Sequence, residues 1–423
     1  MVILAKPNET LMEHTENTLK VLKSIKEAYP NVPELCGVVD FWQHLFYALF
    51  FHDFGKAAIG FQNSLSNGEY WKYRHEILSA SFISSLGEIY SVDAIKAIEL
   101  GIISHHKNLN EINYHDTIVN VNEEIYLERL GELKPNFNEL IGYLDYVPQF
   151  SRKYLGYELE TPIKLGWNDL INPFEEEVIF DYQKSIVENN FGEIHGLYGV
   201  FLKGFMNACD YLASSGHYEI LNGVEIAPLL GFNDFTTTQM MALKSNGSSI
   251  LTAPTGSGKT EAALLWVDNN QNELFSKRIF YILPYTASIN AMYERLTRLL
   301  DNNELVGLSH GKASYYINSN LVDNSEDVMD LTKKIYKPYK VLTPFQIIKH
   351  LFSQKGFEMG LSELVNGLII VDEVHAYDSR TTCLLLETTK FLKKNFNCEI
   401  FIMSATLPKF LKDLFAEELS IKK

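Results

Sequence analysis

The chain has 423 residues, of which 46% are hydrophobic and 21% are charged. This length exceeds one ordinary hydrophobic core, so we expect at least two domains, and the composition is that of a globular protein. The net charge of −16 argues against a basic protein that coats nucleic acid without regard to sequence. A local groove or bound metal ions can still reverse the field where nucleic acid binds.

Cysteine usage and the N-terminal segment indicate the compartment. The four cysteines form no CxxC pair, which argues against a zinc ribbon and predicts reduced core thiols. The first ten residues lack a basic stretch followed by a long apolar core, so they do not read as a signal peptide. No run of about 18 apolar residues occurs, so no transmembrane helix is expected. Together these features predict a cytoplasmic protein without membrane association.

The first half of the chain has apolar residues at helical spacing. We therefore predict an all-α domain over residues 1–220. The pattern is looser between about residues 107 and 191, and it does not define elements there. The clearest helical segments are Phe41–Phe51, Ile77–Leu86, Ala94–Ile103 and Leu197–Leu212.

Histidines and aspartates occur at the ends of these helical segments or inside them. A charged aspartate beside an apolar helix is costly unless it is paired or bound to a metal. Imidazole and carboxylate together suit Mn, Fe, Co or Ni, with Mg as an alternative. Seven such ligands are enough for two ions bridged by one carboxylate, an arrangement that can hydrolyse a phosphodiester. The candidate metal ligands are His14, His52, Asp53, His75, His105, His106 and Asp210.

The second half changes character at a boundary between Gly216 and Phe235. Short apolar runs, each followed by turn residues and a helical pattern, predict an α/β domain over residues 221–423 with a mainly parallel sheet. The runs that we read as buried strands are Ser249–Leu251, Ile279–Leu283, Leu368–Val371 and Ile400–Met403.

Motifs that follow these strands predict nucleotide binding. The sequence APTGSGKT, residues 253–260, supplies glycines for a phosphate-wrapping loop, a lysine for the phosphates and a threonine for Mg. Asp372 follows a strand and is suited to hold Mg, and Glu373 is suited to polarise the attacking water. The candidate ATP-binding residues are Gln239, Thr255, Gly256, Ser257, Gly258, Lys259, Thr260 and Asp372.

Both halves resemble one family. The sequence HDFGK at residues 52–56, a downstream His-His pair and a late aspartate look like the HD phosphohydrolase superfamily. The arrangement is most similar to the HD nuclease domain of the type I CRISPR-associated nuclease-helicases, the Cas-three family. The sequence DEVHAYD at residues 372–378 is also close to that family, and the motifs follow in the same order.

The resemblance implies roles for individual residues. Asp53 would bridge two metals, with His14, His52 and Asp210 completing one site and the other three histidines completing the second. Lys56 would lie near the scissile phosphate. The second half would be the first RecA-like domain of a superfamily 2 helicase. Its coupling residues would be Ser404 and Thr406, its adenine-reading residue Gln239, and its DNA contacts Pro284, Tyr285 and Thr343.

The resemblance also implies a substrate and partners. It implies a single-stranded DNA nuclease that is recruited by a type I CRISPR surveillance complex to the displaced strand. Such a motor needs a second RecA-like domain, which we do not expect to fit after the SAT sequence at residues 404–406. Two alternatives stay open: an HD nucleotide phosphohydrolase with a regulatory ATP-binding domain, and an inactive binding or scaffold fragment. The pair His115-Asp116 lacks a following Gly-Lys and is read as a decoy, while His44 is read as a core or surface residue.

Overall fold

The computed structural model describes residues 2–68, 70–106, 123–170, 196–231, 234–271, 275–313, 316, 331–332 and 334–421. His115-Asp116 lies outside the described residues. The chain divides into two compact units, one formed by Met1–Glu27 with Asn31–Glu219 and the other by Ala28–Pro30 with Ile220–Lys423. Within the described part of the chain, no helix is both long and apolar enough to cross a lipid bilayer.

The first unit is mainly helical. Its α-helices are Leu11–Ala28, Val32–Cys36, Phe41–Phe51, Ile59–Asn67, His75–Ala80, Val92–Ser104, Glu123–Gly131, Phe137–Tyr143, Val147–Tyr154 and Leu197–Ser214. Short 3-10 helices interrupt them, and Phe54–Ala57 and Ser81–Leu86 are two of these. The helical character expected for this half is therefore confirmed.

The all-α expectation needs one correction. Strands β1 (Leu4–Lys6) and β2 (Glu9–Thr10) form a two-stranded antiparallel sheet before the first long helix. The turn between them contains proline and asparagine, which favour tight turns. Strands of three and two residues are too short to show an alternating pattern, so no strand was predicted here.

The centre of the helical unit is the helix Phe41–Phe51. All of its residues except Gln43 are buried, so it is apolar around its whole circumference. A helix with no polar face has to be enclosed by other elements. The helices Val92–Ser104 and Leu197–Ser214 pack against it. This enclosure brings the ends of distant helices together.

The second unit contains a six-stranded parallel sheet in the order β3-β8-β7-β4-β6-β5. The strands are Ser249–Thr252 (β3), Ile279–Ile282 (β4), Val306–Ser309 (β5), Tyr339–Leu342 (β6), Leu368–Val371 (β7) and Glu399–Ser404 (β8). The α-helices of this unit are Thr237–Leu243, Lys259–Asn270, Thr286–Leu300, Pro344–Leu351, Phe357–Glu363, Ser379–Phe396 and Lys409–Glu418. Since every ladder is parallel, the carboxyl ends of all six strands meet at one edge.

The predicted parallel sheet is confirmed, with two corrections to its strands. β3 was predicted to be a buried strand, but it is an outermost strand of the sheet, and its residues are half-buried or exposed. β5 was not identified as a strand from the sequence. Its run Val306–Ser309 contains a glycine and ends in a serine, so the apolar signal is shorter than that of the central strands.

Candidate metal centre and nucleotide-binding edge

The seven predicted metal ligands come from five helices of the first unit. His14 lies in the first turn of Leu11–Ala28, and Asp210 lies in the last part of Leu197–Ser214. His52 and His105 each occupy the position directly after a buried helix, and His75 begins a helix. Although His14 and Asp210 are 196 residues apart, His14 Nε2 lies 3.2 Å from Asp210 Oδ1.

One local arrangement occurs twice at this centre. His52 Nδ1 is 2.7 Å from the carbonyl oxygen of Leu49, and His105 Nδ1 is 2.6 Å from that of Ile102. Each imidazole thus donates from Nδ1 to a carbonyl in the last turn of the preceding helix, and the Ile102 carbonyl also accepts from the His105 amide at 3.5 Å. Because Nδ1 carries the proton, Nε2 is left with a lone pair that points away from the helix. Histidines placed directly after a helix are therefore oriented by the helix itself.

Gly55 allows the segment after Asp53 to pack against the helix His75–Ala80. A Cβ atom at this position would lie 1.9 Å from the carbonyl oxygen of His75, a distance that no side chain tolerates. The Gly55 amide also donates to Ser79 Oγ at 2.8 Å. The glycine of the HDFGK sequence therefore permits the close approach that brings Asp53 and His75 together.

Each oxygen of Asp53 faces a different group of histidines. Oδ2 lies 3.5 Å from His14 Nε2 and 3.4 Å from His52 Nε2, whereas Oδ1 lies 3.1 Å from His75 Nε2. The ligand atoms of His14, His52 and Asp53 lie within 4.8 Å of one another. The same holds for one nitrogen from each of His75, His105 and His106. The candidate ligands therefore form two adjacent groups with one carboxylate between them.

Burial leaves several polar atoms of this centre without ordinary partners. In the described part of the chain, Asp53 Oδ1 and the Nε2 atoms of His52, His75 and His105 form no hydrogen bond of acceptable geometry, whereas Asp53 Oδ2 forms an ion pair with Lys56. Buried polar atoms are rarely left in this state unless a metal ion or water completes them. The donor set is also the mixture of imidazole and carboxylate that transition metals prefer. These residues fit a pair of divalent cations.

The pKa shifts favour the protonation states that metal ligands need. Burial lowers the pKa of His52, and burial followed by repulsion from neighbouring histidines lowers the pKa of His105 well below its usual range. Burial alone would raise the pKa of Asp53, but His52, Lys56 and His75 outweigh it and hold that pKa well below its ordinary value. His52 and His105 are thus neutral and Asp53 is ionised at neutral pH, which is the state that binds cations.

Lys56 contacts the shared carboxylate of this centre directly. Its Nζ lies 2.7 Å from Asp53 Oδ2. Burial would lower the pKa of Lys56, but the Asp53 carboxylate outweighs burial and raises it. The ammonium group therefore stays charged beside Asp53.

Two further carboxylates at this centre were not identified from the sequence. Glu9 Oε2 lies 3.3 Å from His14 Nδ1, and buried Glu76 lies 3.7 Å from His75 Nδ1. Glu9 contacts a histidine of one group of candidate ligands, and Glu76 contacts a histidine of the other. Glu76 directly follows His75 and could have been noticed for that reason. Glu9 lies in β2, and nothing local marks it as part of the site.

The phosphate-binding loop follows β3 in the second unit. Gly256 and Gly258 have φ angles of 79° and 82°, in the left-handed region that favours glycine. The helix Lys259–Asn270 begins directly after Gly258, so its free amides point into the loop. Lys259 Nζ lies 3.0 Å from the carbonyl oxygen of Ala253, so the lysine lies folded over the loop that it is predicted to serve. Thr255 and Gly256 are exposed, whereas Ser257 and Thr260 are half-buried.

The acidic pair lies two strands away from this loop at the same edge. Asp372 is buried, and burial raises its pKa to about 6 although the hydrogen bond from Tyr281 lowers it. Tyr281 Oη donates to Asp372 Oδ2 at 2.9 Å. Glu373 has a φ of 51°, an unusual backbone angle for a residue with a side chain. His375 Nδ1 lies 2.8 Å from Ser404 Oγ and 3.2 Å from Glu373 Oε2, so it joins the two motifs.

Of the coupling residues, Ser404 ends β8 and Thr406 follows it, and β8 lies between β3 and β7. The carbonyl oxygen of Ser404 accepts from the Ala253 amide at 3.3 Å, and Ser404 Oγ donates to the carbonyl of Thr406 at 2.7 Å. Thr406 itself is exposed. The SAT segment is thereby tied to both the phosphate-binding loop and the acidic pair.

Gln239 is buried beside the phosphate-binding loop. A Cβ atom on Gly258 would lie 2.5 Å from Gln239 Nε2, which places the amide group against this glycine. Its Oε1 atom accepts from the Thr236 amide at 2.9 Å, and Thr236 Oγ1 accepts from the Gln239 amide at 3.3 Å. This capping box begins the helix Thr237–Leu243 and occupies the amide oxygen. The amide nitrogen is the atom that remains directed at the loop.

The predicted DNA contacts lie at the carboxyl ends of β4 and β6, which come after β3, β8 and β7 in the strand order. Tyr285 is 58% exposed and follows β4, with half-buried Pro284 before it. Thr343 is half-buried and follows β6, the neighbour of β4. Tyr285 and Thr343 each immediately precede a helix, Thr286–Leu300 and Pro344–Leu351. The sheet order thus separates these residues from the nucleotide motifs on β3, β8 and β7.

The parallel sheet carries a phosphate-binding loop, an acidic pair and a coupling segment at one edge, an arrangement that resembles the ATP-binding domains of helicases. Residues 235–414 match the model of the DEAD/DEAH box helicase family. The chain combines this domain with a helical unit that carries a histidine-aspartate centre.

Known relatives share both parts. The chain is 27% identical over 404 residues to a CRISPR-associated nuclease/helicase Cas3 of Methanocaldococcus jannaschii, covering 85% of this chain and 53% of the relative. It is 23% identical over 409 residues to the Cas3 of Methanothermobacter thermautotrophicus, covering 85% and 47%. The crystal structure of T. fusca Cas3 with ATP has the same fold over 97% of this chain and 50% of that one, with a TM-score of 0.56 and 15% identity.

The resemblance to Cas3-like nuclease-helicases is therefore confirmed by sequence and by fold. The chain spans about half the length of the curated relatives it matches.

Proposed function

We propose that this chain carries the metal-dependent single-stranded DNA nuclease and the first ATP-binding motor domain of a type I CRISPR nuclease-helicase, acting in the cytoplasm. The observation that carries the nuclease part is the position of Asp53, whose two oxygens face two separate groups of histidines. A carboxylate shared in this way suits a site for two cations, which is the arrangement used to hydrolyse phosphodiesters.

In the helical unit, the chain's own residues would hold and orient the reacting groups. His14, His52 and Asp210 would hold one divalent ion and the three other histidines would hold the second, with Asp53 shared. When bound, such ions supply an activated water and neutralise charge on the phosphate. Lys56 would bind a phosphate oxygen, because its charged amine already lies beside Asp53.

In the α/β unit, ATP would bind at the edge formed by β3, β8 and β7. The amides of residues 255–260 and the Lys259 amine would hold the phosphates, and Thr260 and Asp372 would hold Mg. Glu373 would orient the attacking water. His375 contacts both Glu373 and Ser404, so it is placed to transmit the state of the phosphates to the SAT segment.

The strand of DNA would cross the ends of β4 and β6. The helices that follow these strands begin next to Tyr285 and at Pro344, and helix N-termini attract phosphates. Pro284 and Thr343 would fix the backbone there, and Tyr285 is exposed enough to contact a base or sugar.

The names of the relatives support the CRISPR setting. Two curated relatives that align with 85% of this chain are called CRISPR-associated nuclease/helicase Cas3. We therefore propose a type I surveillance complex as the recruiting partner and the displaced DNA strand as the substrate. A second RecA-like domain would complete the motor.

The test is incubation of the purified chain with circular single-stranded DNA and a panel of divalent metals. Cleavage is expected with Mn, Co, Ni or Fe and not with Ca, because calcium prefers about six to eight oxygen ligands. A strong chelator should abolish it. Free nucleotides in parallel reactions provide the discriminating control. Hydrolysis of nucleotides without cleavage of DNA would favour the nucleotide phosphohydrolase, and the absence of bound metal and of both activities would favour a scaffold fragment.

A further inference from the structure

We propose that Tyr281 is a positioning residue for the magnesium ion that accompanies ATP, and that its hydroxyl orients Asp372, which would hold this ion. The inference rests on the proposed ATP-binding function and adds to it a residue that lies outside the nucleotide-binding motifs. Tyr281 lies inside strand β4, whereas the phosphate-binding loop follows β3 and the acidic pair follows β7.

The sheet register brings Tyr281 to the magnesium site. Tyr281 pairs with Ile370 on the neighbouring strand β7. Side chains alternate between the two faces of a strand, so Asp372, two residues beyond Ile370, shares its face. Tyr281 Oη accordingly donates to Asp372 Oδ2 at 2.9 Å. The phenol thus holds the aspartate that would bind Mg.

The number of protons fixes the direction of this bond. A phenol has a single proton, and an ionised carboxylate can only accept, so Tyr281 donates to Asp372. The hydrogen bond therefore orients the Asp372 carboxylate before any ion arrives.

The environment makes this arrangement rigid. Tyr281 is fully buried, and burial followed by the neighbouring Asp372 carboxylate raises the pKa of its hydroxyl well above the usual value, so it keeps its proton. The other oxygen of Asp372 accepts from the Glu373 amide at 2.7 Å. Both carboxylate oxygens are thus fixed by donors, and each retains a lone pair. Residues that orient metal ligands in this way typically contribute about 10- to 100-fold to metal affinity.

Tyr281→Phe removes only the hydroxyl, and Tyr339→Phe is a matched control. Tyr339 is equally buried in the neighbouring strand β6, and its hydroxyl donates to the carbonyl oxygen of Val224 at 2.8 Å, away from the nucleotide motifs. Both variants lose one buried hydroxyl and its hydrogen bonds, so a general effect on stability is expected in both. An effect on magnesium is expected in Tyr281→Phe alone.

The experiment measures ATP binding to the whole chain, by calorimetry or with a fluorescent ATP analogue, while Mg is titrated. Tyr281→Phe should raise the Mg concentration for half-maximal binding by about 10- to 100-fold. Its ATP affinity in EDTA should match that of the unaltered chain. Thermal melts of both variants verify folding. Combining Tyr281→Phe with Asp372→Asn should give much less than the sum of the two effects, since both act on one ligand.

The outcomes separate this inference from the function on which it rests. Equal Mg dependence in Tyr281→Phe, Tyr339→Phe and the unaltered chain would overturn the role of Tyr281 alone. Full additivity with Asp372→Asn would also overturn it. If the unaltered chain showed no Mg-dependent ATP binding, the proposed function of the α/β unit would fall together with this inference.

Discussion

The two candidate sites are built in opposite ways. The metal centre collects side chains from five helices, and its most distant members, His14 and Asp210, are 196 residues apart. The nucleotide edge collects short segments that each follow a strand, and many of its residues are exposed or half-buried. In the metal centre, His14, His52 and Asp53 are 0 to 1% exposed.

This difference teaches how each site is specified. The parallel sheet places its strand ends side by side, so a motif needs only to follow a strand in order to join the edge. The metal centre depends on the packing of whole helices around the buried helix Phe41–Phe51. It also keeps charged groups buried, which is costly unless cations complete them. The predictions below test whether the sites are independent and how finely each is arranged.

The largest expected effect comes from Asp53→Ala. Because Asp53 is shared by both groups of histidines, its loss should remove both metals and abolish DNA cleavage. ATP binding should persist, since the α/β unit uses other residues. Metal content, cleavage of circular single-stranded DNA and ATP affinity are the three measurements. Asp145→Ala, which removes an exposed aspartate paired with Lys164, is the control. Cleavage near the original rate would contradict the assignment of the metal centre.

A second prediction concerns the motor function of the 423 residues by themselves. They should bind ATP, yet hydrolyse it slowly and not unwind duplex DNA. On the proposed function, Lys259, Asp372 and Glu373 would provide the phosphate contact, the magnesium ligand and the base, whereas an arginine from a second RecA-like domain would stabilise the transition state. Lack of such an arginine typically costs about 10³- to 10⁵-fold in rate. A steady-state ATPase assay with single-stranded DNA and a helicase assay on a tailed duplex measure this, with Lys259→Ala as the blank. Rapid turnover would show that the unit is complete by itself.

A smaller effect is expected from Glu9→Gln, which sharpens the division of the metal centre into two groups. Glu9 lies behind His14, so the neutral amide should weaken the ion held by His14, His52 and Asp210 by about 10- to 100-fold. The ion at the other histidines should keep its affinity. Calorimetry during titration of Mn into the metal-free chain measures the binding of the two ions separately. Glu13→Gln, at an exposed position four residues later, is the control. Equal weakening of both ions would contradict the division.

The smallest expected effect is a pH dependence of stability from His44. This histidine is buried in the core of the helical unit, and its Nδ1 forms a hydrogen bond of 2.7 Å with Tyr198 Oη. Burial lowers its pKa from 6.5 to about 4. The unfolded chain therefore binds a proton that the folded chain rejects, and stability should fall as pH drops from about 6.5 to 4. His44→Gln should reduce this slope by up to about 1.4 kcal/mol per pH unit.

Urea unfolding in EDTA at several pH values measures that slope. EDTA keeps metal binding from adding its own pH dependence. His217→Gln, at a half-buried histidine of the same unit, is the comparison and should leave the slope near that of the unaltered chain. An identical slope in His44→Gln would show that His44 is protonated in the folded chain as well.

The sequence by itself predicted the helical and α/β character of the two halves and singled out most of the candidate site residues. The helix Phe41–Phe51 and the parallel strands are encoded by local apolar patterns, and the phosphate-binding loop by local glycine and lysine spacing. Such features depend on neighbours within about one turn or one strand, so they can be read without a fold. The small sheet of β1 and β2 was not predicted, because its strands are shorter than any such pattern.

Only the tertiary structure decided which side chains meet. Glu9 reaches His14 because β2 leads directly into the first long helix, and Tyr281 reaches Asp372 because β4 and β7 pair in one register. The residues of β3 are likewise half-buried or exposed because β3 is an outermost strand of the sheet. Local composition does not encode this strand order. These relations depend on contacts between segments far apart in sequence. A linear pattern fixes the type of each element, but the packing of the elements sets the distances between their side chains.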